Sequence, residues 1–131
     1  MPFAPRLVDC LLIAGGSAVG GVARHLLAGW MQSRGGGKDV AAFPWGIFAV
    51  NVSGCFLLGL LMTVLAERRP DAWPGWRLLL GIGFLGGYTT FSTLLYDTWR
   101  LGPRIGFLNL AASAAAGWAA TALASRLARF L

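Results

Sequence analysis

Acidic side chains are scarce in this chain: five Asp and Glu stand against eleven Lys and Arg in 131 residues, for a formal charge of +6. There is one histidine, His25, and there are two cysteines, Cys10 and Cys55, both set in apolar sequence at no spacing used by metal sites or disulfide frameworks. His25 reads as an interfacial side chain beside Arg24. No Walker loop, histidine cluster or pair of intramembrane carboxylates is present, which leaves hydrolytic and proton-coupled chemistry without its usual groups; we expect no enzyme. Basic residues are scattered between apolar runs and form no stripe, which argues against nucleic-acid binding. Charge as a whole is sparse: 12% of residues are charged and 56% are hydrophobic, a balance that points to lipid as the solvent.

A bilayer core of about 30 Å needs about 20 apolar residues in a helix. Residues 46–66, 78–96 and 105–125 are uncharged windows of that size, each closed by charge or by Pro and Gly. A poorer first window becomes long enough when it is extended over about residues 7–30, with Arg24 facing protein or water. The rival reading of that segment is a secretory signal peptide, but an arginine directly behind the apolar core does not fit that pattern. The expected fold is therefore all-α: one domain over residues 1–131 with four membrane spans, at about 7–30, 46–66, 78–96 and 105–125. Polar, Gly-rich or Pro-containing linkers separate them. Trp30, Trp45, Trp73, Trp76 and Trp99 all fall near span ends, as an aromatic belt requires.

Four spans place Arg6, Arg68, Arg69, Arg77, Arg126 and Arg129 on one side, and Arg24, Arg34, Lys38, Arg100 and Arg104 on the other. Such an even division gives the positive-inside rule little to act on. Dual topology, with two copies packed antiparallel, and a single orientation fixed by a charge or two are both compatible with it.

Polar groups within the spans are the candidates for function. In the third, Gly81, Gly83, Gly86 and Gly87 precede Thr89, Thr90, Ser92 and Thr93, and Gly86 to Thr90 is the expected point of unwinding. Broken backbone at membrane depth survives only when it is buried in protein or lines a polar cavity, where freed carbonyls can hold ions. The same small residues also suit close helix packing. Asn51 in the second span needs partners or water, as a pore group or as glue between helices. Asn109, Ser113, Gly117 and Thr121 recur every four residues in the fourth span, a polar track or a packing seam. Asp97 reads as a helix-end charge or a pore-mouth group.

The strings GGSAVGGVAR, ending at Arg24, FPWGIFAVNVSG, containing Asn51, and GFLGGYTTFST, from Gly83 to Thr93, together with the small-residue fourth span, resemble the CrcB/Fluc fluoride channels over nearly the whole chain. The third-span string is the most specific of these. The resemblance implies an antiparallel, dual-topology homodimer in the plasma (inner) membrane, with the third helix broken near mid-membrane and two fluoride pores along the subunit interface. It also implies a structural sodium ion on the twofold axis, held by the main-chain carbonyls of Gly86 and Thr89 from each subunit. On the fluoride pathway it implies Asn51 as an amide donor, Phe91 presenting its electropositive ring edge, Arg24 at a vestibule, and Ser113 and Thr93 as hydroxyls. The family's second pore phenylalanine is Leu94 in this chain, a departure that removes one aromatic wall.

What the resemblance implies for function is passive, fluoride-selective export that confers fluoride resistance, with fluoride, sodium, membrane lipids and a second copy as partners. The alternatives are a small multidrug-type proton-coupled exporter and a non-conducting membrane assembly subunit. The first needs a deep carboxylate, and the first span offers only Asp9 at its edge. The second does not require the third-span string together with Asn51 and Arg24.

Overall fold

The computed structural model describes residues 6–35 and 43–130, and Lys38 of the orientation count lies outside them. The regular structure of the described residues is all helical, and four helical segments are long and apolar enough to cross a membrane: Leu7–Arg34, Trp45–Arg68, Arg77–Arg100 and Gly102–Ala128. The first is α1 (Leu7–Gly35), which runs past the expected end near residue 30 into a polar last turn. There Arg34 lies over the Trp30 ring, 4.6 Å from its centroid. The second is α2 (Trp45–Thr63), which continues as wider π-type turns over Val64–Arg68.

The third span is built in pieces. Arg77–Leu85 is wound in π-type turns, a single α turn follows as α3 (Gly86–Tyr88), and α4 (Phe91–Arg100) completes it. Between α3 and α4 the chain leaves helical geometry: Thr89 has φ −81°, ψ 158° and Thr90 has φ −151°, ψ 117°. Gly86 keeps helical angles of φ −65°, ψ −38°. The extended residues are therefore the two threonines, and the glycines serve another purpose. Gly16 and Gly20 of α1 face the backbone at Leu79 and Phe84 so closely that no Cβ fits, and a Cβ on Gly87 would lie 2.6 Å from the Ser17 carbonyl oxygen. Small residues at these sites let two backbones meet, which is how helices gain packing energy in lipid.

A turn at Gly102, with φ +76°, reverses the chain into α5 (Gly102–Ala128); this left-handed conformation is natural to glycine. α2 is the common neighbour, packed on α1, on α5 and on both parts of the third span. The first part of the third span lies against α1 and the second against α5. Where they meet, Val50, Leu85 and Tyr88 form a small buried core, flanked by Ala23, Leu27 and Phe84. Outward-facing Leu11, Val19, Leu26, Phe107, Leu108 and Trp118 are all exposed, which suits hydrocarbon and not water. Trp30, Trp45, Trp73, Trp76 and Trp99 are likewise exposed near the span ends.

Candidate functional site

Polar contacts converge on the two extended threonines. Once the helix stops, the N–H of Thr90 loses its helical partner in a place where no water replaces it, while its C=O, as the N-cap carbonyl, opens α4. Asn51 of α2 supplies the missing acceptor: its Oδ1 accepts from Thr90 N–H at 2.8 Å, and its Nδ2 also donates to Thr90 C=O at 3.0 Å. One side-chain amide thus imitates a neighbouring strand. Because Thr90 N–H turns to Asn51, the carbonyl of Gly86, four residues back, loses the donor that a continuing helix would give it. The carbonyl of Thr89 accepts from Arg24 Nη1 of α1 at 3.4 Å. Arg24, set in an otherwise apolar stretch, therefore points at the interrupted backbone, the protein-facing position that its charge demands.

Thr90 also opens α4. Its hydroxyl accepts from Thr93 N–H at 3.3 Å as a helix N-cap and donates to the Thr93 hydroxyl at 3.0 Å. Thr89 turns back instead, its Oγ1 donating to the Leu85 carbonyl at 2.9 Å. The Ser53 and Tyr88 hydroxyls share a hydrogen bond of 2.8 Å, which anchors the end of α3 to α2. The hydroxyls of Thr89, Thr90, Thr93, Ser53 and Tyr88 are thereby engaged within the protein.

Beside this backbone lies a cavity of about 350 Å³ between α2, the third span and α5. Asn51, Thr90, Phe91, Leu94 and Ser113 line it, and Gly86 and Thr89 border it. Phe91 is 69% exposed and stands at its open side, whereas Leu94 is buried at 7%. The Ser113 hydroxyl is buried and has no hydrogen-bond partner, so the cavity holds one unsatisfied polar group ready for a guest. Arg24 and Thr93 do not line this cavity; Arg24 bonds to the Thr89 carbonyl that borders it and Thr93 to the Thr90 hydroxyl.

Along α5, Gly106, Asn109, Ser113 and Gly117 are buried against α2 and α4. Asn109 Nδ2 donates to Thr98 Oγ1 at 3.2 Å, and Thr121 Oγ1 donates to the Cys55 carbonyl of α2 at 3.2 Å. The four-residue stripe is therefore a packing seam over most of its length, and Ser113 is the member that opens onto the cavity. Asp97 belongs to α4, is largely buried, and pairs with Arg100 at 3.5 Å. Among the described residues no cluster of three or more His, Cys, Asp or Glu is placed to hold a metal ion.

Two roles were not singled out from sequence, although Thr90 was named within the expected point of unwinding. Thr90 combines the Asn51 pairing with the N-cap, and the hydroxyl-x-x-hydroxyl spacing of Thr90 and Thr93 was the available signal. Cys55 lines the cavity one turn after Asn51, and helical spacing alone would have put it there.

These features define a small multi-pass membrane protein whose polar groups gather on an interrupted span beside an internal cavity. The family model described as "CrcB-like protein, Camphor Resistance (CrcB)" matches residues 11–125, and the chain belongs to that family. It is 47% identical over 123 residues to the fluoride-specific ion channel FluC of Solibacter usitatus, covering 91% of this chain and 97% of that one. It is also 48% identical over 90 residues to the fluoride-specific ion channel FluC of Acidobacterium capsulatum, covering 69% and 68% respectively. A third relative, the protein of that name from Geobacter sulfurreducens, is 50% identical over 95 residues, 72% of this chain and 73% of the relative.

Proposed function

We infer that the chain is a fluoride-selective channel that lets the ion leave the cytoplasm passively. The observation that carries this reading is the Asn51 pairing with Thr90, which holds open a polar, non-helical stretch beside a cavity in a chain whose family relatives bear the name of fluoride-specific channels. Fluoride is small and strongly hydrated, so a path must replace its water with donors and electropositive edges. Ser113 offers an unengaged hydroxyl, Asn51 keeps one amide hydrogen beyond the one given to Thr90, and Phe91 offers its ring edge at the open side. Arg24 contributes positive potential while fixing the backbone, and Thr93 holds the start of α4. Leu94 adds an apolar wall where a second ring is missing.

The working unit is an antiparallel dimer in the bacterial inner membrane, with the interruption near mid-membrane. The even distribution of basic residues and the broad exposed apolar faces support it. A sodium ion held at the shared axis fits the residues present: the Gly86 carbonyl has lost its helical donor, Gly86 is exposed, and hard oxygens suit a hard cation. The Thr89 carbonyl already accepts from Arg24, and its second lone pair is the one left for a cation. Such an ion supplies structural charge and takes no part in conduction.

Ion efflux from liposomes containing the purified protein tests the function. Fluoride is expected to escape while chloride is retained, and Asn51→Asp and Phe91→Ile each to lower the flux. Equal passage of chloride, or no fluoride passage by well-folded protein, refutes the reading.

A further inference from the structure

A second cavity, of about 230 Å³, lies at the opposite end of the third span from the α4–α5 turn. Its walls are Met62, Leu65 and Ala66 from the end of the second span, Trp73 from the connection, and two arginines, Arg69 and Arg77. The apolar walls come from the membrane-spanning part and the charges sit at its edge. π-type turns frame it on both sides, over Val64–Arg68 and Arg77–Leu85, and such wide turns often mark functional sites.

Among the described residues no acid pairs with either arginine. Glu67, two residues before Arg69, is taken by Arg129 at 3.2 Å, and neither the Arg69 nor the Arg77 guanidinium has an ion-pair or hydrogen-bond partner among the described residues. Asp71 makes no ion pair among the described residues and is not part of the cavity wall. Trp73, half exposed, packs edge-on against Trp76 with ring centroids 5.8 Å apart and stands at the rim, where indoles settle among headgroups.

We propose that this pocket binds the headgroup phosphate of an anionic phospholipid. Arg69 and Arg77 grip the phosphate oxygens, and the first segment of an acyl chain runs down Met62 and Leu65. A free phosphate would satisfy the arginines but leave the apolar wall bare. A zwitterionic phosphatidylethanolamine would bring its own ammonium beside two guanidinium groups. An anionic glycerophospholipid satisfies both parts of the pocket.

Native mass spectrometry of the full chain, with dioleoyl phosphatidylglycerol and dioleoyl phosphatidylethanolamine as probes, tests this. Each arginine near a membrane surface strengthens anionic-lipid binding about fivefold, so the Arg69→Gln/Arg77→Gln variant is expected to retain phosphatidylglycerol about 25-fold less well. Arg69→Lys/Arg77→Lys keeps most of the retention, Arg104→Gln keeps all of it, and excess inorganic phosphate does not displace the lipid. Equal retention of the two lipids by the unmodified protein overturns the proposal without recourse to any variant. So does unchanged retention by the glutamine variant, and displacement by inorganic phosphate assigns the site to a soluble anion instead. Fluoride efflux from the same preparations separates the outcomes: lipid retention can fail while fluoride conduction persists, and the reverse.

Discussion

The two parts of the third span obey different rules. Arg77–Tyr88 is glycine-rich, lies backbone to backbone on α1, and has its one hydroxyl, that of Tyr88, turned into the protein. Phe91–Arg100 is held at its start by a threonine cap, packs on α5, and presents Phe91, Tyr96 and Trp99 outward. A continuous helix keeps its faces in fixed rotational register, so it is hard for one to meet α1 with small residues and α5 with Leu94 and Thr98. Interrupting the chain at Thr89 and Thr90 lets each part choose its own neighbour, and the cost falls on two peptide groups that Asn51 and Arg24 satisfy from outside.

The strongest way to break that arrangement is Asn51→Leu. It strips Thr90 N–H of its acceptor, and one buried unsatisfied backbone donor costs about 1–3 kcal/mol. Fluoride efflux should vanish and the thermal midpoint in detergent should fall steeply. If melting is unchanged, the two parts of the span do not depend on the amide. Gly87→Val attacks the first part alone. Its Cβ meets the Ser17 backbone, neither backbone can yield cheaply, and overpacking of this kind costs about 1–3 kcal/mol. A lowered midpoint by differential scanning fluorimetry is expected, and an unaltered one would mean that α1 and the third span are not closely apposed. Thr90→Val attacks the second part by removing the cap of α4, for about 1 kcal/mol. Slower flux with modest loss of stability is the expected result, and hydrogen exchange confined to the first turn of α4 should accelerate. The smallest effect belongs to Glu67→Gln, which removes an exposed pair with Arg129 and should change stability by no more than about 0.5 kcal/mol in a denaturation series. A larger change would give the span ends a share in stability that the comparison assigns to the middle.

The four spans were legible because lipid imposes a length and a composition that few other solvents do. Asn51 was legible as an intramembrane polar group, but its partner was not, because Thr90 lies 39 residues away and only packing brings them together. Gly86 to Thr90 was the expected point of unwinding; the extended residues, Thr89 and Thr90, fall at its end, and Gly87 takes the close-packing role that small residues also suit. Glycine's flexibility was visible in the sequence, while its closeness to Ser17 was not. The π-type winding of Arg77–Leu85 was hidden because an almost uniformly apolar segment has no polar face from which to read a period. Arg24 was expected to face protein or water, and its hydrogen bond to Thr89 puts it against protein at the interruption itself. The fourth-span stripe was open between a track and a seam, and the structure divides it, with Ser113 on the cavity and Asn109 and Thr121 bonded to neighbouring helices.

The reversal at Gly102 bears on how the protein is made. With α4 and α5 joined by so short a corner, the last two helices can leave the insertion machinery side by side as a preassembled hairpin. Asn109 then meets Thr98 before either has to face acyl chains, and the most deeply buried amide of the fourth span never travels through the membrane without a companion.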